Sequence, residues 1–580
     1  MSNHFYSAEE NIQIVVSLLK AYGIKRIIAS PGTTNLTFVA SLMADPFFKI
    51  YSAPEERSAA YMAVGMAEES GEPVVITCTG ATASRNYLPG LTEAFYRKLP
   101  LLAITATQPL GSVGQLVPQV IDRSALPKDA AVYSVHIGTI KDRGDRTTAI
   151  LKANEAFHYL SKNGGGPVHI NLETTYDKDF SVKDLPSIPK IGYYRIFDEL
   201  PEIPNGKVGI YVGSHSKMSA GLNSAIDRFC DRYGAVVFCD HTSNYKGKYR
   251  FLYPLALSQD NWLPAIGSLT VVIYIGEVSG SYSHPGGKQL WRVSEDGKIR
   301  SVFGLPKAVF EMREEDFFNR YADKGCEGRS NFIEECRETY QGLLKDIPDD
   351  IPFSNIWVAR ELAPKIPDNS VIHFGILNSL RSWNFFEIPA SVDSYCNVGG
   401  FGIDGPISTV IGGALANPEK IHYLIVGDLA FFYDLNALGN RHLPANLRII
   451  LINNGKGTEF RNYNHPAHAF GEEADLYMAA GGHYGAKSAN LVKSYAEALG
   501  IEYLTADNKT NFHHQEDILL NPEKRSYPLL FEIFTDSELE NEALHTIRNL
   551  RVDGSSVLKN KVRNILGKNG VETIKKVFGK

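Results

Sequence analysis

The stretch Tyr423-Leu424-Ile425-Val426-Gly427-Asp428-Leu429-Ala430 is answered further along the chain by Arg448-Ile449-Ile450-Leu451-Ile452-Asn453-Asn454-Gly455-Lys456-Gly457. Each begins with an apolar run of strand length, the pattern of a short parallel strand buried on both faces. An acid at the carboxyl end of one strand and an amide at the end of the next can meet at one point above the sheet. Asp and Asn oxygens, a backbone carbonyl and phosphate oxygens suit Mg²⁺, an ion that rarely receives an all-protein cage. The glycines let backbone approach an anion closely. The same two strings also fit ordinary strand-to-helix turns of an α/β domain, so the rest of the chain has to decide between the readings.

Outward from this pair the α/β rhythm continues in both directions. In the first third, Arg26–Ser30, Lys49–Ala53, Pro73–Thr79 and Leu101–Thr107 read as strands, and Thr37–Met43, Glu56–Ser70 and Arg85–Tyr96 as helices. Alternation of this kind implies βα units and parallel sheets. A Pro- and charge-rich segment, Lys183–Pro204, reads as a linker. A second αβ segment follows, with strands at Lys207–Val212, Ala235–Cys239 and Leu269–Ile275, and the polar stretch Glu327–Asp350 reads as the next boundary. Ser7-Ala8-Glu9-Glu10 before Ile12, Ile14, Val15 and Leu18 has the spacing of a capping box opening an amphipathic helix. The expected organisation is therefore three consecutive parallel-sheet α/β domains, at 1–185, 190–345 and 350–540, followed by a basic helical tail at 541–580.

Composition narrows the function classes. The chain has 580 residues, 44% hydrophobic and 21% charged, enough for several cored domains. A net charge of −6 gives no reason to expect nucleic acid as a partner. Cysteines 78, 230, 239, 326, 336 and 396 form neither a CxxC pair nor zinc spacing, and read as reduced thiols of a cytoplasmic protein. No signal-peptide pattern opens the chain. The tail carries Arg548, Arg551, Lys559, Lys561, Arg563, Lys568, Lys575, Lys576 and Lys580 among broken helical apolar spacing. It reads as a helix packing on its own body or a second subunit, with membrane contact the less favoured alternative.

Several further strings stand in order along the chain: Ser30-Pro31-Gly32, Glu56-Arg57-Ser58-Ala59, Asn397-Val398-Gly399-Gly400-Phe401-Gly402-Ile403-Asp404-Gly405 and Asp434-Leu435-Asn436. Together with Gly427-Asp428 and Asn453-Asn454, they resemble the thiamine diphosphate enzymes of the 2-oxoacid decarboxylase and acetolactate synthase superfamily. The resemblance spans roughly residues 10 to 540. Leu429 stands where most members have a third glycine, a variation of the menaquinone-pathway SEPHCHC synthase branch. The resemblance implies pyrimidine-binding, middle and diphosphate-binding domains, with thiamine diphosphate and Mg²⁺ as cofactors. It implies Asp428, the Asn454 side chain and the Lys456 carbonyl as metal ligands, and Asn453 as a structural strand end. Gly427, Leu429, Ala430, Gly402, Ile403 and Asp404 would line the cofactor, Ile403 as apolar support. Glu56 would bind the aminopyrimidine and activate it, with Glu55 the fallback if the register slips by one. Asn86 would lie near the same ring, and Gln119 would face the reacting centre.

Departures from that branch bear on the substrate. Its members hold acidic substrates with arginines in the contexts SPGSR, ADRP and NRG, where this chain has Thr34, Gln108 and Val398. None of these can form a bidentate fork on a carboxylate. Arg381 stands at a shorter spacing from Asn378-Ser379 than the branch pattern. Arg85 either reaches the substrate or pairs with an acid. Lys456 and Glu459 either bind a polar acceptor or sit solvated at a helix start. His465 and His468 fall where relatives place substrate-facing residues, and equally fit a surface loop. The expected activity is decarboxylation of a 2-oxoacid with transfer of the acyl carbanion to an acceptor carbonyl. Simple decarboxylation to an aldehyde, another lyase or hydrolase reaction of the same cofactor, and a non-catalytic relative are the alternatives. The resemblance also implies a homodimer or homotetramer with active sites between subunits.

Overall fold

The apolar runs become the strands of three parallel sheets laid out in chain order. The structure, a computed structural model, describes residues 5–300, 303–323, 331–523 and 525–554. The first sheet contains β1 (Arg26–Ala29), β2 (Lys49–Ser52), β3 (Val74–Cys78), β4 (Leu101–Thr107), β5 (Tyr133–Ile137) and β6 (Val168–Glu173), in the order β2-β1-β3-β4-β6-β5. Every residue of β3, β4 and β6 is buried; β3 and β4 are near-continuous apolar runs, whereas β6 alternates, its buried His169, Asn171 and Glu173 bonded to Thr105, His136 and Thr139. The second sheet contains β7 (Gly192–Arg195), β8 (Val208–Val212), β9 (Val236–Cys239), β10 (Arg250–Leu252), β11 (Ser268–Ile275), β12 (Gly286–Ser294) and β13 (Ala308–Glu311), in the order β10-β9-β8-β11-β12-β13-β7. The third contains β14 (Val371–Phe374), β15 (Asp393–Cys396), β16 (His422–Gly427), β17 (Leu447–Asn453), β18 (Glu502–Ala506) and β19 (Leu529–Phe534), in the order β15-β14-β16-β17-β19-β18.

The chain forms two compact units, 1–200 with 290–312, and 201–289 with 313–580. In the first unit, helices α1 (Glu10–Ala21), α2 (Leu36–Met43) and α3 (Glu56–Ser70) lie near the expected positions. The helix expected over Arg85–Tyr96 is instead two, α4 (Ala81–Asn86) and α5 (Leu88–Arg97), broken at Tyr87. Pro89 causes the break, because it lacks the N–H that a continuous helix would present to the Arg85 carbonyl. A Cβ on Gly90 would come within 2.5 Å of Ala60 Cβ, so a glycine is what lets α5 lie close against α3.

Three other expectations are corrected. The capping box does not form: Glu9, not Ser7, is the N-cap of α1 and makes no side-chain cap bond. Its carboxylate instead accepts hydrogen bonds from Thr174 Oγ1 and the backbone N–H groups of Thr175 and Asp177. The Lys183–Pro204 segment is not wholly a linker, since β7 lies within it and pairs with β13 from Ala308↔Gly192 to Glu311↔Arg195. The polar stretch Glu327–Asp350 holds the helix Phe332–Asp346, whose Phe332, Ile333, Cys336, Tyr340 and Leu343 are buried at helical spacing. Cys78, Cys230, Cys239 and Cys336 are buried and Cys396 half-buried, all as free thiols; Cys326 lies outside the described residues. Among the described residues no helix is long and apolar enough to cross a membrane. At the start of the tail, Arg548 pairs with Asp260 at 2.7 Å and Arg551 with Asp346 at 2.6 Å. The basic residues from Lys559 onward lie outside the described residues.

The core of the third sheet is built by Leu424, Val426, Leu447, Ile449, Leu451 and Leu530 against Ile407, Val410 and Phe431. Ile449 is fully buried and sits in register between Leu424 and Leu530. Replacing Ile449 by Ala is expected to cost about 2–5 kcal/mol of stability, read as a lower urea midpoint by circular dichroism. An unchanged midpoint would show that this strand is not the core of its sheet.

Candidate active site

In the third sheet the strand order reverses between β14 and β16, the switch point at which open α/β sheets form a crevice. The carboxyl ends of β14, β16 and β17 supply much of the wall of a cavity of about 230 Å³. Asp428 follows β16 and is 5% exposed. Its Oδ1 accepts from Leu429 N at 2.7 Å and its Oδ2 from Gly455 N at 2.6 Å, which ties the end of β16 to the turn after β17. Gly455 holds φ at +77°, a left-handed conformation that a side chain would strain. Burial pushes the Asp428 carboxyl up to about 6, against the lowering effect of the backbone N–H groups around it. Asn453 and Asn454 differ in their surroundings. Asn453 is buried and donates to Glu532 at 2.6 Å. Asn454 Oδ1 is buried and lacks a hydrogen-bond partner within the protein.

An unsatisfied buried amide oxygen beside a desolvated carboxylate is the donor set of a hard cation that completes its shell with other oxygens. Among the described residues no three His, Cys, Asp or Glu side chains gather as a metal cage, so Asp428 and Asn454 would hold such an ion with outside help. The Lys456 carbonyl accepts from Thr458 N at 3.0 Å and keeps a second lone pair. The Lys456 side chain is turned to Asp475, at 2.6 Å. Gly427, Leu429, Ala430 and Ile403 line the cavity, whereas Gly402 and Asp404 do not. A Cβ on Gly457 would approach Leu429 Cδ1 to 3.0 Å and the Ala479 carbonyl oxygen to 3.3 Å. Leu377, also in the wall, has φ +64° and ψ −124°, a sparsely populated conformation for a residue with a side chain.

Two residues not singled out from the sequence bear on this cavity, one in its wall and one behind it. Glu540, on the helix Ser537–Arg548, lines it and accepts from Asn355 N at 2.9 Å and Thr535 Oγ1 at 2.7 Å. Burial raises its carboxyl to about 7. Tyr282 donates to Glu459 Oε1, the oxygen that Arg381 Nη1 also reaches at 2.8 Å. Asn378 completes the cluster, its Nδ2 donating to Glu459 Oε2 at 2.7 Å and its Oδ1 accepting from Glu459 N at 3.2 Å. Glu459 is thus a buried, paired wall residue and not a solvated helix start. Burial pushes its carboxyl up to about 7, and the charge of Arg548 opposes that push. No local signal marks Glu540 or Tyr282, because their partners lie far away in sequence. His465 Nδ1 accepts from Ala467 N, and His468 Nδ1 bonds the Arg461 carbonyl, so both rings hold the local turn.

The remaining candidates are in the first unit. Glu55 is the N-cap of α3, accepting from Arg57 N at 3.1 Å and Ser58 N at 2.7 Å. Glu56, the first helical residue, is left free of capping and receives Asn86 Nδ2 at 3.4 Å. Gln119 is exposed, in a turn with φ +63°. Arg85 donates to the Asp122 carbonyl at 2.9 Å, and its charge adds to the hydrogen bonds from Ser124 that hold the Asp122 carboxyl below the usual carboxylate range. Thr34 is 4% exposed and bonded to Thr79 Oγ1 and Gly80 N, an anchor of the turn after β3.

Comparison with known proteins agrees with this geometry. A family profile described as "Thiamine pyrophosphate enzyme, N-terminal TPP binding domain" matches residues 11–126. Over 580 aligned residues the chain is 29% identical to the 2-succinyl-5-enolpyruvyl-6-hydroxy-3-cyclohexene-1-carboxylate synthase of Phocaeicola vulgatus, covering 94% of this chain and 99% of that protein. The synthases of the same name from Bacteroides thetaiotaomicron and Desulfotalea psychrophila are 28% and 26% identical, with 93% and 91% of this chain covered and 98% and 99% of theirs.

The Glu540 carboxyl allows a pH test on the cofactor-free protein. Its folded pKa lies above the ordinary carboxylate value, so the unfolded chain loses the proton first. Stability therefore falls as pH rises through about 7. Glu540→Gln is expected to remove on the order of 2 kcal/mol of the stability lost between pH 5 and pH 8, measured by urea unfolding at both values. Identical pH slopes for variant and wild type would show that ionising this buried group carries no penalty.

Proposed function

Starting from a chain that belongs to the thiamine diphosphate enzyme family, we propose that it decarboxylates a 2-oxoacid and passes the acyl fragment to an acceptor carbonyl. Full-length similarity to enzymes named as synthases supports transfer over simple release of an aldehyde. The observation that carries the cofactor assignment is Asn454 Oδ1, buried and without a partner in the same cavity as Asp428. Thiamine diphosphate, when bound, supplies the nucleophilic carbon and the electron sink that no side chain offers.

The chain's own residues do the rest. Asp428, Asn454 and the Lys456 carbonyl hold Mg²⁺ at the diphosphate end. A cation suits the site because Asp428 and the Asn454 oxygen line the cavity while its lysine is turned away to Asp475. Ile403 gives apolar support beside the metal site. Glu56 would hold a proton toward the aminopyrimidine when the cofactor is bound, and Asn86 Nδ2 reaches its carboxylate at 3.4 Å. Gln119, on an exposed turn, faces the reacting centre. The family resemblance supports a homodimer or homotetramer in which Glu56 of one copy serves the metal site of another. The free cysteines support a cytoplasmic setting.

The test is CO₂ release from a panel of 2-oxoacids, with and without aldehydes and keto sugars, followed by product analysis. Release that depends on thiamine diphosphate and Mg²⁺ and stops with a chelator is expected, as is a loss of about 10²-fold or more in Glu56→Gln. Glu55→Gln, which disturbs only a cap, is expected to keep the rate within about threefold while lowering stability by about 1 kcal/mol. No CO₂ from any 2-oxoacid would sink the reading.

A further inference from the structure

The Glu459 cluster carries an inference about the substrate, which rests on the function proposed above. Arg381 is the cation nearest in sequence to the motif Asn378-Ser379, and its guanidinium is already committed. Nη1 is on Glu459 Oε1 at 2.8 Å, Nε donates to the Gly280 carbonyl at 3.1 Å, and the guanidinium carbon lies 3.3 Å from the Tyr282 ring centroid. Both carboxylate oxygens of Glu459 are in turn occupied, Oε1 by Arg381 and Tyr282 and Oε2 by the Asn378 amide. Neither side chain is loose, with 12% of Arg381 and 11% of Glu459 exposed.

The arrangement places the carboxylate, and not the arginine, on the cavity. Glu459 is a wall residue there and Arg381 is not. Lys456, the one cationic residue among the described wall residues, is held by Asp475 at 2.6 Å. A second carboxylate on an incoming substrate would meet Glu459 with no unpaired cation among the described wall residues to receive it. A second carboxylate in a partly desolvated space needs a cation of its own, and a guanidinium already bonded to one carboxylate and a carbonyl has less to offer it. We propose that Glu459 is the specificity-determining residue of this cavity. Its own carboxylate holds Nη1 of Arg381 while the Gly280 carbonyl holds Nε, so the site takes a 2-oxoacid whose side chain is uncharged and rejects one bearing a second carboxylate.

Glutarate tests this directly, because it is a dicarboxylate that cannot be decarboxylated. Its binding is measured by calorimetry on the full chain with thiamine diphosphate and Mg²⁺ present. Glu459→Ala is expected to bind glutarate about tenfold or more tighter than wild type, and the double variant Glu459→Ala/Arg381→Gln to lose that gain. Should the Ala variant fold poorly, Glu459→Gln keeps the shape, removes the charge and is expected to show a smaller gain of the same sign. A second reading is the ratio of kcat/KM for 2-oxobutyrate over 2-oxoglutarate, expected to favour 2-oxobutyrate in wild type and to fall in the Glu459 variants. Glutarate binding equal in wild type and both Glu459 variants would overturn the proposal, as would a gain that survives loss of Arg381. A protein that turns over neither 2-oxoacid would sink the reaction proposed above, while the glutarate comparison would still decide the role of Glu459.

Discussion

One buried carboxylate holds the site in place. Asp428 accepts hydrogen bonds from its own helix start and from Gly455, so two strand ends are fixed to one another through a single side chain. Without that clasp, Asn454 would have no fixed position relative to Asp428, and the cavity wall would lose the geometry that a hard cation requires. The clasp depends on the register of β16 against β17, in which Gly427 stands opposite Ile452. A slip of one residue would turn every side chain of a strand to the other face, and the site would go with it. Sheet core and site chemistry are thus specified by the same pairing.

The cavity contains two solutions to the problem of burying a carboxylate. Around Asp428 the charge is met by backbone N–H groups alone, and the unsatisfied Asn454 oxygen in the same cavity leaves the arrangement open to an external cation. Around Glu459 the charge is met by an internal arginine, a tyrosine and an asparagine, an arrangement closed to anything else. Removing one partner from a buried pair costs far more than the pair contributes, so the closed cluster resists being borrowed by a substrate. Placed in one cavity, the two define opposite ends: one that accepts a charge from outside and one that has already cancelled its own.

Much of this was legible in the sequence where the determining forces are local. Buried parallel strands announce themselves as unbroken apolar runs, and β4 and α3 coincide with their expected spans. The sequence was mute where partners are remote. Glu9 was read as part of a capping box, but its carboxylate goes to Thr174, Thr175 and Asp177, which no local spacing reveals. β7 is four half-buried residues in a Pro-rich stretch, and only its pairing with β13 makes it a strand. The adjacent acids Glu55 and Glu56 could not be told apart by motif alone; the N-cap position takes the first and leaves the second free. Tyr282 and Glu540 escaped notice for the same reason as Glu9, since each matters only through residues brought to it by the fold.

Leu429, which stands where most of the superfamily has glycine, finds its room opposite. The space its side chain fills lies beside Gly457, where a Cβ would come to 3.0 Å from Leu429 Cδ1. The two positions behave as one steric unit with room for one large side chain, because close-packed interiors leave no spare volume to absorb a second. The strand end that supplies the acid and the turn that supplies the amide are therefore coupled by volume as well as by the Asp428 hydrogen bonds, and a side chain added at position 457 would have to displace Leu429.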